Sequence, residues 1–113
     1  MLNEKFLNSL TILYVEDEDL ARETLGKTLK RFFKNVIFAS NGEEGYLTFK
    51  KEKLTGNIDL ILSDINMPKM NGIEMLEKIR EDGYNIPIIY TTARTEQEYL
   101  LKAIELNVTN YVL

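Results

Sequence analysis

The sequence predicts an α/β domain, a doubly wound parallel sheet with helices on both faces. Three observations carry this. Apolar, β-branched runs alternate with helix-period stretches along the whole chain, which is the pattern of parallel strands joined by right-handed crossover helices. One run, Ile58–Leu62, is apolar at almost every position, as a central parallel strand covered on both sides must be. The chain has 113 residues, 44% hydrophobic and 28% charged, the size and composition of one globular domain.

The elements follow in order. Leu2, Phe6, Leu7 and Leu10 are spaced for a short amphipathic turn. It fits a cap on the bottom of the sheet, or else a dimer or partner contact. Strands are expected at Thr11–Val15, Val36–Ala39, Ile58–Ser63, Ile86–Tyr90 and Tyr111–Leu113. Helices are expected at Leu20–Phe33, Glu43–Lys53, Ile73–Glu81 and Glu96–Leu106. In the first of these, Leu25, Leu29, Phe32 and Phe33 form one apolar stripe. Asn41 with Glu44, Asn71 with Glu74 and Thr95 with Glu98 have the spacing of capping boxes. Gly56, Gly83 and Asn107 stand where helices should stop, since each adopts left-handed backbone cheaply. Five strands and four helices make a doubly wound sheet that lacks its final helix.

Composition excludes several chemistries. The chain has no Cys and no His, so disulfides, thiolate or imidazole catalysis and the usual zinc sites are out. A net charge of −4 argues against direct binding to nucleic acid or an anionic membrane. No apolar run approaches the ~18 residues of a membrane span, and no signal-peptide pattern opens the chain. A cytoplasmic location is expected.

In doubly wound sheets ligands bind beyond the carboxyl ends of the strands. Here the first strand runs into Glu16-Asp17-Glu18-Asp19, the third into Asp64 and the fourth into Thr91-Thr92-Ala93. Glu16, Asp17 and Asp64 would then converge. At ~5 Å and an effective dielectric of ~20 each pair of carboxylates repels by roughly 3 kcal/mol. Such a cluster binds a cation or holds a raised pKa, and a hard divalent ion suits it. The run Glu16–Asp19 fits equally a helix start, where acids favour the positive end of the dipole. Asp64 could be a turn or cap residue, but about seven residues separate it from the next helix, long for such a unit.

These residues resemble the receiver domain of two-component response regulators, the chemotaxis-type receiver of flavodoxin-like fold. Leu13-Tyr14-Val15-Glu16-Asp17-Glu18 resembles its first acidic strand end, and Ser63-Asp64-Ile65-Asn66-Met67-Pro68-Lys69-Met70-Asn71-Gly72 its phosphoacceptor loop. Ile88-Ile89-Tyr90-Thr91-Thr92-Ala93 resembles the switch-threonine strand end, and Asn110-Tyr111-Val112-Leu113 the start of the last motif.

The resemblance implies a five-stranded sheet in the order 2-1-3-4-5, with residues 1–9 an N-terminal extension and 10–113 a C-terminally truncated receiver. Asp64 would accept a phosphoryl group from a phosphohistidine on a sensor histidine kinase or phosphotransfer protein. Mg²⁺, with Mn²⁺ able to substitute, would be held by Asp17, Asp64 and the Asn66 backbone carbonyl. Glu16, where the family usually has Asp, would act through a water. Thr92 would contact the phosphoryl group, beside the Ala93 N–H, and Tyr111 would swing inward with Thr92. Asn66 and Arg94 would flank the path of the attacking water and tune dephosphorylation. The domain would transfer and lose its own phosphoryl group without turning over a separate substrate, so it would not be an enzyme.

Signalling would switch the face formed by the Glu96–Leu106 helix and the final strand. Tyr99, Leu100, Leu101, Ala103, Ile104 and Leu106 spread over roughly 220°, wider than the ~100° stripe that one core face needs. The excess fits a partner surface, or a place that a further helix would cover. The family's Lys-Pro and fifth helix would follow Leu113, and Lys69 and Lys102 do not stand in that lysine's place. Impaired transfer and self-association, as a homodimer or a swapped assembly, are therefore expected. Two other readings stand beside this one. A degenerate receiver would act only as a protein-binding module. A haloacid-dehalogenase-like phosphatase would use Asp17-Glu18-Asp19-Leu20 as its DxD motif.

Overall fold

The computed structural model describes residues 3–54, 56–91, 100–102 and 104. In order they form α1 (Glu4–Leu7), β1 (Thr11–Val15), α2 (Asp19–Phe32), β2 (Asn35–Ala39), α3 (Gly42–Lys53), β3 (Leu60–Asp64), α4 (Gly72–Glu81) and β4 (Ile88–Thr91). Residues 100–102 and 104 are helical. The strand expected at Tyr111–Leu113 lies outside the described residues, as do Thr92, Ala93 and Arg94 and the capping pair Thr95 and Glu98.

The described strands form one sheet in the order β2-β1-β3-β4, and every neighbouring pair is parallel. Side chains alternate across it. Ile12, Tyr14, Leu60 and Leu62 join one apolar layer with Leu29 of α2, and Leu25 and Phe32 pack against it. Leu13, Val15 and Ile61 join the opposite layer with Phe49 of α3 and Met75 and Ile79 of α4. The sheet is thus covered on both faces, which is why β1 is buried at all five positions. Each fully buried Leu or Ile contributes about 1.5–3 kcal/mol.

Three features refine the expected elements. Leu7 and Leu10 are buried in the α2-side layer, so the N-terminal turn serves as a cap on that layer. β3 starts at Leu60 rather than Ile58, because the Asp59 carboxylate takes the Thr11 N–H at 2.8 Å while its own N–H goes to the Thr11 carbonyl. β4 starts at Ile88 rather than Ile86, because Pro87 has no N–H to give; its carbonyl accepts from Ile61 at 2.9 Å.

Leu100, Leu101 and Ile104 are buried in the α2-side layer. Part of the wide apolar surface noted in the sequence is therefore core within this chain. Gly56 and Gly83 have φ of 75° and 90°, the left-handed backbone expected where helices stop.

Candidate functional site

β1 and β3 are neighbours whose following connections lead to opposite sides of the sheet, the switch point at which α/β sheets bind ligands. The register pairs Val15 with Ser63, so the next residues, Glu16 and Asp64, stand side by side at the carboxyl ends of β1 and β3. Oxygens of Glu16, Asp17 and Asp64 lie within 4.8 Å of one another. Glu16 is buried, Asp64 half-buried and Asp17 exposed.

Glu16 is fixed through both its N–H and its carboxylate. Its N–H reaches the Ala39 carbonyl at 3.0 Å, and its carboxylate accepts the Glu18 N–H at 3.1 Å. Burial raises its pKa above the usual carboxylate value; the Glu18 N–H opposes this, and the charges of Asp64 and Asp17 add to it. Below it in β1, the Tyr14 phenol is pushed well above its ordinary range, by burial and then by the charges of Glu16 and Asp64. Tyr14 is therefore neutral beneath the acids.

The two sequence readings of Glu16–Asp19 fall to different residues. Glu16 and Asp17 join the cluster. Asp19 lies in the first turn of α2, where its charge meets the helix dipole and pairs with Arg22 at 2.6 Å.

Asp64 is fixed by backbone. Its Oδ1 accepts the Ile65 N–H at 2.8 Å, and its carbonyl accepts from the Ser63 hydroxyl at 2.7 Å. The start of α4 packs directly on it: the Gly72 N–H reaches the Ile65 carbonyl at 2.8 Å. A Cβ at Gly72 would lie 2.4 Å from the Asp64 carbonyl oxygen, so only glycine fits there. The Tyr90 hydroxyl donates to the Gly72 carbonyl at 3.0 Å. Asn71 and Glu74 form the full capping box, with bonds of 2.8 and 3.0 Å.

The loop between them is equally fixed. Lys69 has a φ of 67° and sits in a γ-turn closed by Met70 N–H to Pro68 carbonyl at 2.7 Å. The Met70 carbonyl accepts the Gly42 N–H at 2.9 Å, which ties this loop to the start of α3. At that start, Asn41 caps Glu44 at 2.9 Å, but the expected box is not closed. The Glu44 carboxylate bonds Ser40 instead, through its hydroxyl at 2.8 Å and its N–H at 3.3 Å.

Three converging carboxylates are hard, anionic oxygen donors, the set that suits Mg²⁺, and their approach without a bound cation would leave them repelling. The donors present therefore fit a divalent cation. Asn66 is exposed in the loop after Asp64. Thr92, Ala93, Arg94 and Tyr111 lie outside the described residues. Gly72 and Tyr90 fall inside the motifs quoted from the sequence but carry no role of their own there, and Arg22 lies outside them; all three bear on the geometry of the acids. For Arg22, the three-residue spacing from Asp19 was the available signal.

The Response regulator receiver domain family matches residues 12–113, and the chain belongs to that family. It is 32% identical over 109 residues to the chemotaxis protein CheY1 of Helicobacter pylori, covering 92% of this chain and 84% of that one. It is 35% identical over 103 residues to a cyclic di-GMP phosphodiesterase of Thermotoga maritima, covering 91% of this chain but only 26% of that protein. Among solved structures, the N-terminal domain of an uncharacterized protein from Wolinella succinogenes matches with a TM-score of 0.68 and 41% identity, over 87% of this chain and 76% of that one. A receiver domain from Clostridium thermocellum matches with a TM-score of 0.81 over 91% and 97% of the two chains; at 20% identity it speaks to the fold alone.

The domain is thus a phosphoacceptor receiver of two-component signalling, with a flavodoxin-like parallel sheet and helices. Among the described residues, no helix is long and apolar enough to cross a membrane.

Proposed function

We propose that Asp64 is the phosphoacceptor of this receiver. The observation that carries the reading is the meeting of Glu16, Asp17 and Asp64 within 4.8 Å at the switch point of the sheet. Asp64 gives an oxygen to phosphorus, the N–P bond of a phosphohistidine breaks as the O–P bond forms, and the imidazole nitrogen leaves with the bonding pair. Water later hydrolyses the acyl phosphate to carboxylate and inorganic phosphate. Asp17, Asp64 and the Asn66 carbonyl would hold Mg²⁺, or Mn²⁺ in its place, with Glu16 reaching it through a water. When bound, the ion neutralises charge on the transferring oxygens. The fixed backbone of Asp64 supplies orientation, because phosphoryl transfer depends on placement more than on a strong base.

The remaining roles belong to the same reading. Residues 10–113 form the receiver, preceded by an extension at 1–9. Thr92 and the Ala93 N–H contact the phosphoryl group, Tyr111 turns inward with Thr92, and Asn66 and Arg94 tune its loss. The donor is a sensor histidine kinase or phosphotransfer protein, met in the cytoplasm, and the domain turns over no separate substrate. Self-association, as a homodimer or a swapped assembly, would use the part of the helix face expected at Glu96–Leu106 which Leu100, Leu101 and Ile104, buried in the core, do not supply.

Intact-mass measurement with a small phosphodonor tests the reading. One added phosphoryl group, dependent on Mg²⁺ and absent from Asp64→Asn, is the expected result. Addition that persists in Asp64→Asn would overturn it, and Mg²⁺ binding with no addition would favour a purely binding receiver.

A further inference from the structure

We propose that Arg22 is a positioning residue for the acidic site, acting through the turn between β1 and α2. The inference rests on the reading that Glu16, Asp17 and Asp64 hold a divalent cation. Arg22 lies one turn into α2, and its guanidinium reaches back in two directions. One nitrogen donates to the Glu16 carbonyl oxygen at 2.7 Å, and the other to Asp19 Oδ1 at 2.6 Å. The Arg22 side chain is 23% exposed, so its contact with the Glu16 carbonyl is partly shielded from water, whereas Asp19 stands in solvent. Together the two bonds bracket Asp17 and Glu18, and thereby span the turn that supplies two of the three acids.

The turn's other holds are the Glu16 carboxylate on the Glu18 N–H at 3.1 Å and the Glu16 N–H on the Ala39 carbonyl at 3.0 Å. The N-cap of α2 is Glu18, which makes no side-chain cap bond, whereas Asn41 and Asn71 cap α3 and α4. Converging carboxylates repel, and a turn that opened beyond Glu16 would carry Asp17 away from Asp64. A grip on the Glu16 carbonyl opposes that movement without occupying any cluster carboxylate. A planar guanidinium donates in two directions from one fixed fork; an ammonium is a point donor and holds both acceptors less well.

This role predicts a sign that a pure charge effect would reverse. A cation beside the cluster competes with a divalent ion, so removing its charge alone would tighten metal binding. Removing a positioning residue loosens it.

The test is a Mn²⁺ titration of the full chain, followed by electron paramagnetic resonance of the free ion, with thermal unfolding measured alongside. Arg22→Ala is expected to weaken binding by about tenfold, and Arg22→Lys by less. With a small phosphodonor, the half-saturating Mg²⁺ concentration rises by the same factor while phosphorylation at saturating Mg²⁺ reaches the wild-type level. A merely structural role would lower the unfolding temperature without that split. Unchanged or tighter Mn²⁺ binding by folded Arg22→Ala overturns the proposal. Should only Arg22→Lys fold, wild-type affinity in that variant overturns it. A wild-type chain that binds no Mn²⁺ removes the underlying cation reading instead, an outcome distinct from equal binding by both proteins.

Discussion

The two loops that bring the acids together are held by different means. The loop from β3 to α4 is fixed by short-range backbone chemistry. It has a full capping box at Asn71 and Glu74, a γ-turn at Lys69 and a helix start pressed against the Asp64 carbonyl. The turn from β1 to α2 has no side-chain cap. Its holds are the Glu16 carboxylate folded onto the Glu18 N–H, the Ala39 carbonyl, and Arg22 reaching back from the helix. A carboxylate at a strand end can therefore be fixed by its own loop or by a side chain from the next element. The first kind of hold should fail through backbone shape, the second through loss of one long side chain.

Substitutions on the β3–α4 side should show the larger stability effects. Gly72→Ala forces a Cβ to within 2.4 Å of the Asp64 carbonyl oxygen, which the backbone must relieve by moving. We expect a loss of about 1–3 kcal/mol by denaturant unfolding, together with reduced phosphorylation because Asp64 moves. Unchanged stability would show that the helix start yields freely. Asn71→Ala removes the cap on α4 and should cost about 1 kcal/mol, read in the same way. Tyr90→Phe deletes the hydroxyl bond to Gly72 and should cost about 0.5–1.5 kcal/mol. A value near zero would mean that water replaces the hydroxyl.

The β1–α2 side should respond differently. Asp19→Asn weakens an ion pair whose acid is 92% exposed, so stability should change by less than about 1 kcal/mol. A loss above 2 kcal/mol would show that Asp19, rather than the Glu16 carbonyl, is the main anchor of Arg22.

The same contrast explains what could be read from the sequence. The alternation of apolar runs and helix-period stretches located the described strands and helices to within about two residues. It worked because both faces of the sheet are covered and each element carries its own periodicity. The Asn71–Glu74 box was legible because both partners lie within one helical turn. Asn41–Glu44 has the same spacing, yet Glu44 turns to Ser40, a choice that spacing cannot express. The three acids were legible as strand-end residues. The approach of Gly72 to Asp64, the bond from Tyr90 and the tie from Gly42 to Met70 were not, since each joins residues from separate elements. Arg22 falls between: its spacing from Asp19 is visible, but its bond to the Glu16 carbonyl depends on how the chain enters the helix.

Of the three acids drawn together, Asp64 is the one proposed to take the phosphoryl group. The most direct measurement is borohydride trapping after phosphorylation by a small phosphodonor, followed by peptide mapping. Borohydride reduces an acyl phosphate to an alcohol, so an aspartyl phosphate is recovered as homoserine at its own position. Homoserine is expected at Asp64, only when Mg²⁺ is present, with Glu16 and Asp17 unmodified. Reduction at Asp17 or Glu16, with Asp64 intact, would contradict it.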